Sequence, residues 1–488
     1  MTSSANSSSM LLTLLPEIIL AVLALLLLFL ELIWKNRRRA SLCWVTVIGL
    51  IIAAITSAVF FIPQNGATLI WGGMLRLDHA GTVFRVLVIL GAAITALFSV
   101  EEENLYCCGE FYFLLIISTL GLTMLAAASD LIMVFLALET ASVPLYILAG
   151  FRFREPKSVE SGLKYLLYGA MASTIMLFGF TFLYGFSGTT QLYEIGAAIK
   201  AGNIPPMAAA TAGLLVLAGL GFKISAVPFH FWAPDVYEGA PTAIAGFLAT
   251  ASKAGGFAVL LRFSFAVFPA LSTYSPLLIA IMAVASMQVG NLLAVSQKNF
   301  KRFLAYSSIA QAGYILVGVA ASSNLGATGV VYYLMAYLAT NLVAFGIAFL
   351  SAQSAGTDDI AGLAGLSRRS PILGMALLVS LLSLGGIPPF AGFIGKLIVF
   401  SAAVQSGLAW LAVVAVLNSV ISLYYYLKVI KVAFLSKPAI ERPVYQVSTP
   451  WQIAFAACIA GILVLGVILA PWYSWAVAAA SSLVFIGH

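Results

Sequence analysis

Apolar runs of about twenty residues or more follow one another along almost the whole chain, separated by short polar connections. That succession constrains the fold more than any motif does. Only a helix, or a closed barrel, satisfies its backbone hydrogen bonds internally and so can cross lipid. Charged residues make up 8% of the chain and hydrophobic ones 62%, whereas soluble domains carry roughly 25% charged residues. Too little polar side chain remains to cover a water-facing surface. This excludes a soluble enzyme, a nucleic-acid binder and a disordered chain.

The runs predict an all-α polytopic membrane protein of about 14 transmembrane helices. They lie at about 10–34, 41–62, 79–100, 111–128, 130–150, 160–185, 206–233, 242–267, 276–296, 301–320, 327–352, 371–405, 408–435 and 451–470. The first run is too long for a signal-peptide core, and its basic cluster (Lys35, Arg37, Arg38, Arg39) follows it, so it reads as a retained span. The stretch 471–488 is expected at the membrane interface. Odd-numbered connections also hold Arg152, Arg154, Lys157, Lys298, Lys301, Arg302, Arg368, Arg369, Lys437 and Arg442, while even-numbered ones hold only Arg76 and Lys200. Basic loops face the cytoplasm, so both termini are expected on the outer, periplasmic side. This bias also accounts for the net charge of +7. Glu101, Glu102, Glu103 and Glu110 fit poorly, being assigned inside with no basic partner. The cysteines (Cys43, Cys107, Cys108, Cys458) show neither metal-ligand spacing nor a disulfide framework.

Two spans are interrupted. The seventh reads GFKISAVPFHFW and the twelfth SLGGIPPFAGFIGK. Proline removes a backbone donor and breaks the helix, and paired interruptions in two halves of a chain point to inverted repeats. Pro228-Phe229 and Pro389-Phe390 are 161 residues apart, and Tyr165 and Phe178-Gly179 find counterparts in Tyr333 and Phe345-Gly346 about 167 residues on. Two inverted five-helix repeats follow, spans 4–8 and 9–13. The expected division is a three-helix segment 1–110, repeats 111–270 and 271–436, and a final helix and tail 437–488.

A charge at mid-membrane costs about 2.5–3.5 kcal/mol on insertion scales, so each needs a reason. Glu139, Lys164, Lys223, Lys253 and Lys396 lie well inside spans. Each reads either as a structural ion pair or as part of a proton pathway, since a desolvated lysine can lose its proton near neutral pH. Lys164 could instead pair with Glu160 or Glu155. Arg85 and Arg262 sit nearer span ends, where they could snorkel. His230 reads as a structural group or a proton carrier, and Asp235 and Glu238 as a solvated cap or a proton intake. Ser173, Thr174, Gln288, Asn291, Tyr306, Ser307, Ser308, Gln311, Thr340 and Asn341 could bond helices together or order water between Lys253 and Lys396. No phosphate loop, catalytic triad, haem motif or dinucleotide fingerprint appears, so no redox cofactor is visible in this chain.

The segments DLIMVFLALETASVPLYIL, SGLKYLLYGAMAS, GFKISAVPFHFWAPDVYEGAPT, FLATASKAGGFA, KRFLAYSSIAQAGY and SLGGIPPFAGFIGK resemble the antiporter-like subunits of respiratory complex I, the proton-pumping NADH:quinone oxidoreductase. The N-type branch is most similar, with Lys rather than Glu at 396 and Lys rather than His at 253, and the cyanobacterial and chloroplast subunit-2 branch is very close. The chain ends before the long lateral helix usual in L-type members. The resemblance implies a proton-translocating subunit of the bacterial inner membrane, packed against neighbouring membrane-arm subunits and lipid. It implies that NADH, FMN, iron–sulfur clusters and quinone belong to partner subunits. It further implies that Glu139 and Lys223 form a coupling pair, Lys253 is the central proton carrier, Lys396 exchanges protons with the other half-channel, and Lys164 is the additional span-six lysine. Span ten lacks an acid matching Glu139, the repeat partner falling near Tyr306. The alternative is a subunit of a multi-subunit cation/proton antiporter.

Overall fold

The computed structural model describes residues 13–34, 39–60, 66–102, 109–268, 274–437 and 447–483. Lys35, Arg37, Arg38, Glu103, Cys107, Cys108, Arg442 and His488 lie outside the described residues. The α-helices longer than a single turn, in order, are α1 (Leu15–Trp34), α2 (Arg39–Phe60), α3 (His79–Phe98), α4 (Gly109–Ala127), α5 (Leu131–Ala149), α6 (Pro156–Ser187), α7 (Leu192–Lys200), α8 (Pro206–Ile224), α9 (Trp232–Gly239), α10 (Thr242–Phe247), α11 (Lys253–Ala266), α12 (Tyr274–Ser296), α13 (Phe300–Ala320), α14 (Asn324–Ala355), α15 (Pro371–Gly385), α16 (Ala391–Gln405), α17 (Ala409–Leu435), α18 (Thr449–Val467) and α19 (Leu469–Leu483). Strands β1 (Thr68–Ile70) and β2 (Leu75–Leu77) form a small antiparallel hairpin.

Thirteen of these crossings are long and apolar enough to span a bilayer, counting α10–α11 as one. The fourteenth is the broken pair α15–α16, two helices of 15 residues each. The predicted spans are thus found, the seventh ending at Ile224 with α9 a separate short helix, and the hairpin, α7 and α19 were not foreseen either. The hairpin and α7 are too short to leave a hydropathy signal. Helix α19 bends away from α18 after Val467, buries Ala476, Ala479, Ala480 and Leu483, and ends where Arg76 Nη2 takes the Ser482 carbonyl at 2.7 Å. The expected interfacial tail is therefore a helix docked on the bundle.

Capping chemistry fixes where the crossings begin. Asp130 caps α5 by accepting from Ile132 and Met133, and Asn299 caps α13 by accepting from Arg302. Backbone bonds then tie each start to the loop two crossings on. Leu131 N–H donates to Thr190 O and Leu192 N–H to Ser129 O. The same pair recurs as Phe300 N–H to Asp358 O and Ile360 N–H to Lys298 O. The helix breaks also repeat. Ser225 ends α8 in the left-handed region with its N–H on the Gly221 and Phe222 carbonyls, and Gly386 ends α15 likewise on Leu382 and Ser383. Five crossings separate matching elements, so the two copies run in opposite directions through the membrane. Registered on Asp130 and Asn299, position 139 corresponds to Ser308, two residues beyond Tyr306.

The centre of the bundle is unusually enclosed. Helix α14 packs against α10, α13, α15, α16, α18 and α19, and the α10–α11 crossing is buried throughout its most apolar window. Arg85 and Arg262 do not snorkel. Both are 1% exposed. Arg85 Nε lies 2.9 Å from Glu17, and Arg262 grips Asp78 with two bonds of 2.8 and 2.9 Å while also taking the Ala126 carbonyl. Asp78 also caps α3 and meets Arg76 Nε at 3.3 Å. Removing one partner of such a pair leaves an uncompensated buried charge, at a cost of about 3–5 kcal/mol. Asp78→Asn is expected to lower the unfolding temperature of the assembled protein sharply, as read by a thermal aggregation assay. An unchanged midpoint would show that the pair is dispensable.

The acidic segment after α3 is also partnered, contrary to the sequence expectation. Glu102, 1% exposed, accepts from Thr242 N–H at 2.6 Å and Ala243 N–H at 3.2 Å, and meets Arg152 Nη2 at 2.5 Å. Pro241 offers no side-chain cap to α10, so a carboxylate from a distant loop takes that role. Glu101 accepts from Ser448 N–H at 2.7 Å, immediately before α18.

Candidate functional site

Lys253 opens α11 directly after a π-helical turn, Leu248–Ser252. Such bulges redirect side chains and recur at functional positions. Here the ammonium points away from its own half of the chain. It is 1% exposed and bonds Ser308 on α13, at 2.5 Å to Oγ and 2.8 Å to the carbonyl. No carboxylate pairs with it among the described residues. Three residues on, Gly256 lets α8 approach. A Cβ there would lie 2.9 Å from Ile224 and 3.1 Å from the Lys223 stem. The missing side chain thus brings the two lysine-bearing helices together.

Lys223 lies in the last turn of α8, 3% exposed, with Nζ 3.0 Å from Ser142 Oγ on α5. Glu139 sits one turn earlier on α5, half-buried, and accepts from Ser173 of α6 at 2.5 Å. The implied coupling pair is therefore near but not joined. Each partner holds a serine, and no ion pair links them among the described residues. Lys396, 4% exposed, lies past the α15 break. Its Nζ donates to the Gly385 carbonyl at 3.1 Å and Ser419 Oγ at 2.8 Å, and stands 4.4 Å above the Tyr314 ring. The carbonyl it takes is one that the broken helix cannot satisfy itself.

A polar trail leads from Lys253 to Lys396. Ser307, beside Ser308, bonds the Tyr426 hydroxyl at 2.5 Å. Gln311 Nε2 donates at 3.1 Å both to that hydroxyl and to the Leu384 carbonyl, next to the carbonyl that Lys396 holds. Tyr333 donates to Gln311 Oε1, and Thr340 meets Ser383 at 3.2 Å. Asn291 bonds Tyr314 and Asn418. Of the polar residues singled out in the sequence, Ser307, Ser308 and Gln311 form the trail, Ser173 serves Glu139, and Asn341 bonds Tyr337. Thr174 only returns to the Ala170 carbonyl. Sequence reasoning missed Tyr426, Ser419 and Ser142, because nothing local separates the hydroxyls that meet a lysine or join the trail from those that bond only their own helix.

Lys164 belongs elsewhere. Its side chain is 36% exposed and pairs with Glu160 at 2.7 Å and Asp235 at 2.8 Å, so it is a crevice-wall residue and not a charge isolated in lipid. Arg302 meets both Asp235 at 2.7 Å and Glu238 at 3.0 Å, and Lys157 meets Glu238 at 3.0 Å. These groups line a crevice of about 180 Å³. A second crevice of about 390 Å³ shares Lys157, Glu238 and Gly239 and runs past Arg152, Thr242 and Lys301. His230 lies in the α8–α9 break, 5% exposed, with Nδ1 unbonded and no hydrogen bond to any of the buried lysines among the described residues.

Burial disfavours the carboxylate forms of Asp235 and Glu238, but their cationic partners outweigh it and hold both below the usual carboxylate range. The linkage is that of a depressed acid. The stabilisation is fully present above the unfolded value, about 4, and is lost as pH falls through the lower folded value. Detachment of α9 is therefore expected only below about pH 4. Protection factors at 232–239 that already fall as the pH is lowered from 7 to 5 would contradict this assignment.

The family model for the membrane domain of NADH:quinone oxidoreductase and Mrp antiporters matches residues 128–422, which takes in every lysine of the trail. The NADH-quinone oxidoreductase subunit N of Moorella thermoacetica is 41% identical over 94% of this chain and 96% of its own length. The NAD(P)H-quinone oxidoreductase subunit 2 of Trichormus variabilis is 41% identical over 87% of this chain and 82% of its own. A chain of respiratory complex I from Thermus thermophilus, solved with bound aureothin, superposes with a TM-score of 0.80 at 34% identity, over 94% of this chain and 98% of that one. The buried lysines, the paired helix breaks and these likenesses converge, and the chain belongs to the NADH:quinone oxidoreductase/Mrp antiporter family of membrane subunits.

Proposed function

We propose that this chain is a proton-translocating membrane-arm subunit of an NADH:quinone oxidoreductase, with electron transfer and its cofactors housed in partner subunits. The carrying observation is the polar trail from Lys253 through Ser308, Ser307, Tyr426 and Gln311 to Lys396, laid through the most enclosed part of the bundle. The two inverted repeats, 111–270 and 271–436, supply one half-channel each. Glu139 and Lys223 receive the coupling signal, Lys253 carries the proton between the halves, and Lys396 passes it on. The positive-inside bias puts the Lys164 crevice at the cytoplasmic end and both termini on the other side, in a bacterial plasma membrane.

The energy scale supports the reading. Moving one charge against 100 mV costs about 2.3 kcal/mol, and a two-unit change in lysine proton affinity supplies about 2.7 kcal/mol. Closing the gap between Glu139 and Lys223 removes a counter-charge from other groups and shifts the affinities in series. The test is purification from native membranes with mass spectrometry of co-migrating chains. Quinone-binding, iron–sulfur and flavin subunits are expected. A complex that lacks only the NADH module would move the reading to the ferredoxin-linked relative. Small antiporter subunits without redox partners would replace it with cation/proton exchange.

A further inference from the structure

The two repeats share a backbone contact and differ in the side chain beside it. Gly121 of α4 meets α5 so closely that a Cβ would strike the Ala141 nitrogen, and Gly290 of α12 meets α13 so that a Cβ would strike the Ala310 nitrogen. The offset is the one that relates Asp130 to Asn299, so one scaffold is used twice. The residue after the glycine is Leu122 in the first copy and Asn291 in the second. At the same offset Tyr314 takes the place of Leu145. All four side chains are buried.

An enclosed amide is costly unless it is bonded, and Asn291 is bonded on both of its polar atoms. Its Nδ2 donates to the Tyr314 hydroxyl, the Asn418 carbonyl and Asn418 Oδ1, each at 3.1 Å. Its Oδ1 accepts from the Tyr425 hydroxyl at 3.0 Å. A satisfied buried network of this kind rigidifies its members. Two of them lead to Lys396. Tyr314 is the ring 4.4 Å from Nζ, and Asn418 immediately precedes Ser419, whose Oγ lies 2.8 Å from Nζ. In the first half Glu139 stands one turn from the serine that holds Lys223. No carboxylate pairs with Lys396 among the described residues.

We infer that Asn291 is a positioning residue for Lys396, holding the Tyr314 ring and the Ser419 hydroxyl in place around the ammonium. It acts through those two contacts. The ring face favours a cation and the hydroxyl accepts one of its N–H groups, so fixing both fixes where the ammonium sits. This inference rests on the proton-pump reading and adds to it a residue that does not itself carry the proton.

Asn291→Leu puts the first repeat's side chain at this place and removes every bond of the amide. In the intact complex, reconstituted in liposomes, it is expected to slow proton pumping roughly tenfold and to displace the pH profile of pumping, as Tyr314→Leu also does. On a Tyr314→Leu/Ser419→Ala background both contacts with the ammonium are already gone. There the same substitution is expected to change the rate less than about twofold. Equal slowing on both backgrounds, or an unmoved pH profile, assigns Asn291 to helix packing alone and overturns the inference. A wild-type rate in Asn291→Leu, with Lys396→Ala inactive, also overturns it and leaves the pump reading intact. Normal pumping by Lys396→Ala overturns the pump reading itself. Should Asn291→Leu fail to assemble, Tyr425→Phe decides. It takes only the hydroxyl that orients the amide, and it is expected to displace the pH profile in the direction seen with Tyr314→Leu; a profile that stays in place refutes the inference.

Discussion

Lys253→Ala is expected to abolish proton translocation by this subunit while the complex still assembles. The side chain is enclosed, and among the described residues its bonds are to Ser308, so truncation removes the titratable amine that faces the second half. Loss of a buried lysine without a carboxylate partner strands no opposite charge, which is why assembly survives. The remaining cost is a cavity and one unsatisfied serine, each on the order of a few kcal/mol or less. Proton yield per electron pair, measured in vesicles with a pH-sensitive dye, is expected to fall by this subunit's whole share. A wild-type yield would exclude Lys253 from the pathway.

Ser308→Asp is the converse experiment, with an equally large expected effect. The repeat register gives Ser308 the place that Glu139 holds in the first half, and Lys253 already lies 2.5 Å from its hydroxyl. A carboxylate within about 4–6 Å raises a lysine's proton affinity by roughly one to three pK units. Lys253 would then stay charged through the cycle, and proton release would slow about ten- to thousandfold. Assembly is expected to hold, because the new acid gains a counter-ion and faces the hydroxyl of Tyr237. Pumping at the normal rate would mean that Lys253 does not have to discharge. Ser308→Ala adds no charge and is expected to slow pumping by interrupting the trail, while leaving Lys253 free to discharge.

The fold was largely legible because lipid imposes one rule on every segment. Run length located fourteen crossings, and proline located both breaks, since it removes a bond that nothing in the bilayer replaces. The four isolated charges Glu139, Lys223, Lys253 and Lys396 were legible for the same reason. Their partners were not. Nothing local tells Ser142 from Thr174, yet one holds Lys223 and the other bonds only its own helix. Glu102 was misread because it is answered from far along the chain, by Arg152 and the start of α10, whereas Lys164 takes the foreseen Glu160 and adds the distant Asp235. Arg262 was misread because Asp78, 184 positions away, lies in a short connection that hydropathy treats as background.

The consecutive carboxylates of Glu101 and Glu102 have a mechanical consequence. One clasps the threshold of the crossing that carries Lys253, and the other clasps the residue leading into α18. Neighbouring Cα atoms are held about 3.8 Å apart, so these two anchor points cannot separate appreciably while both clasps stay closed. A piston stroke by the Lys253 crossing alone would have to tear one of them. The scaffold is yoked at that end, and what travels through it must be small: a proton, a rotamer, a rearranged hydrogen bond.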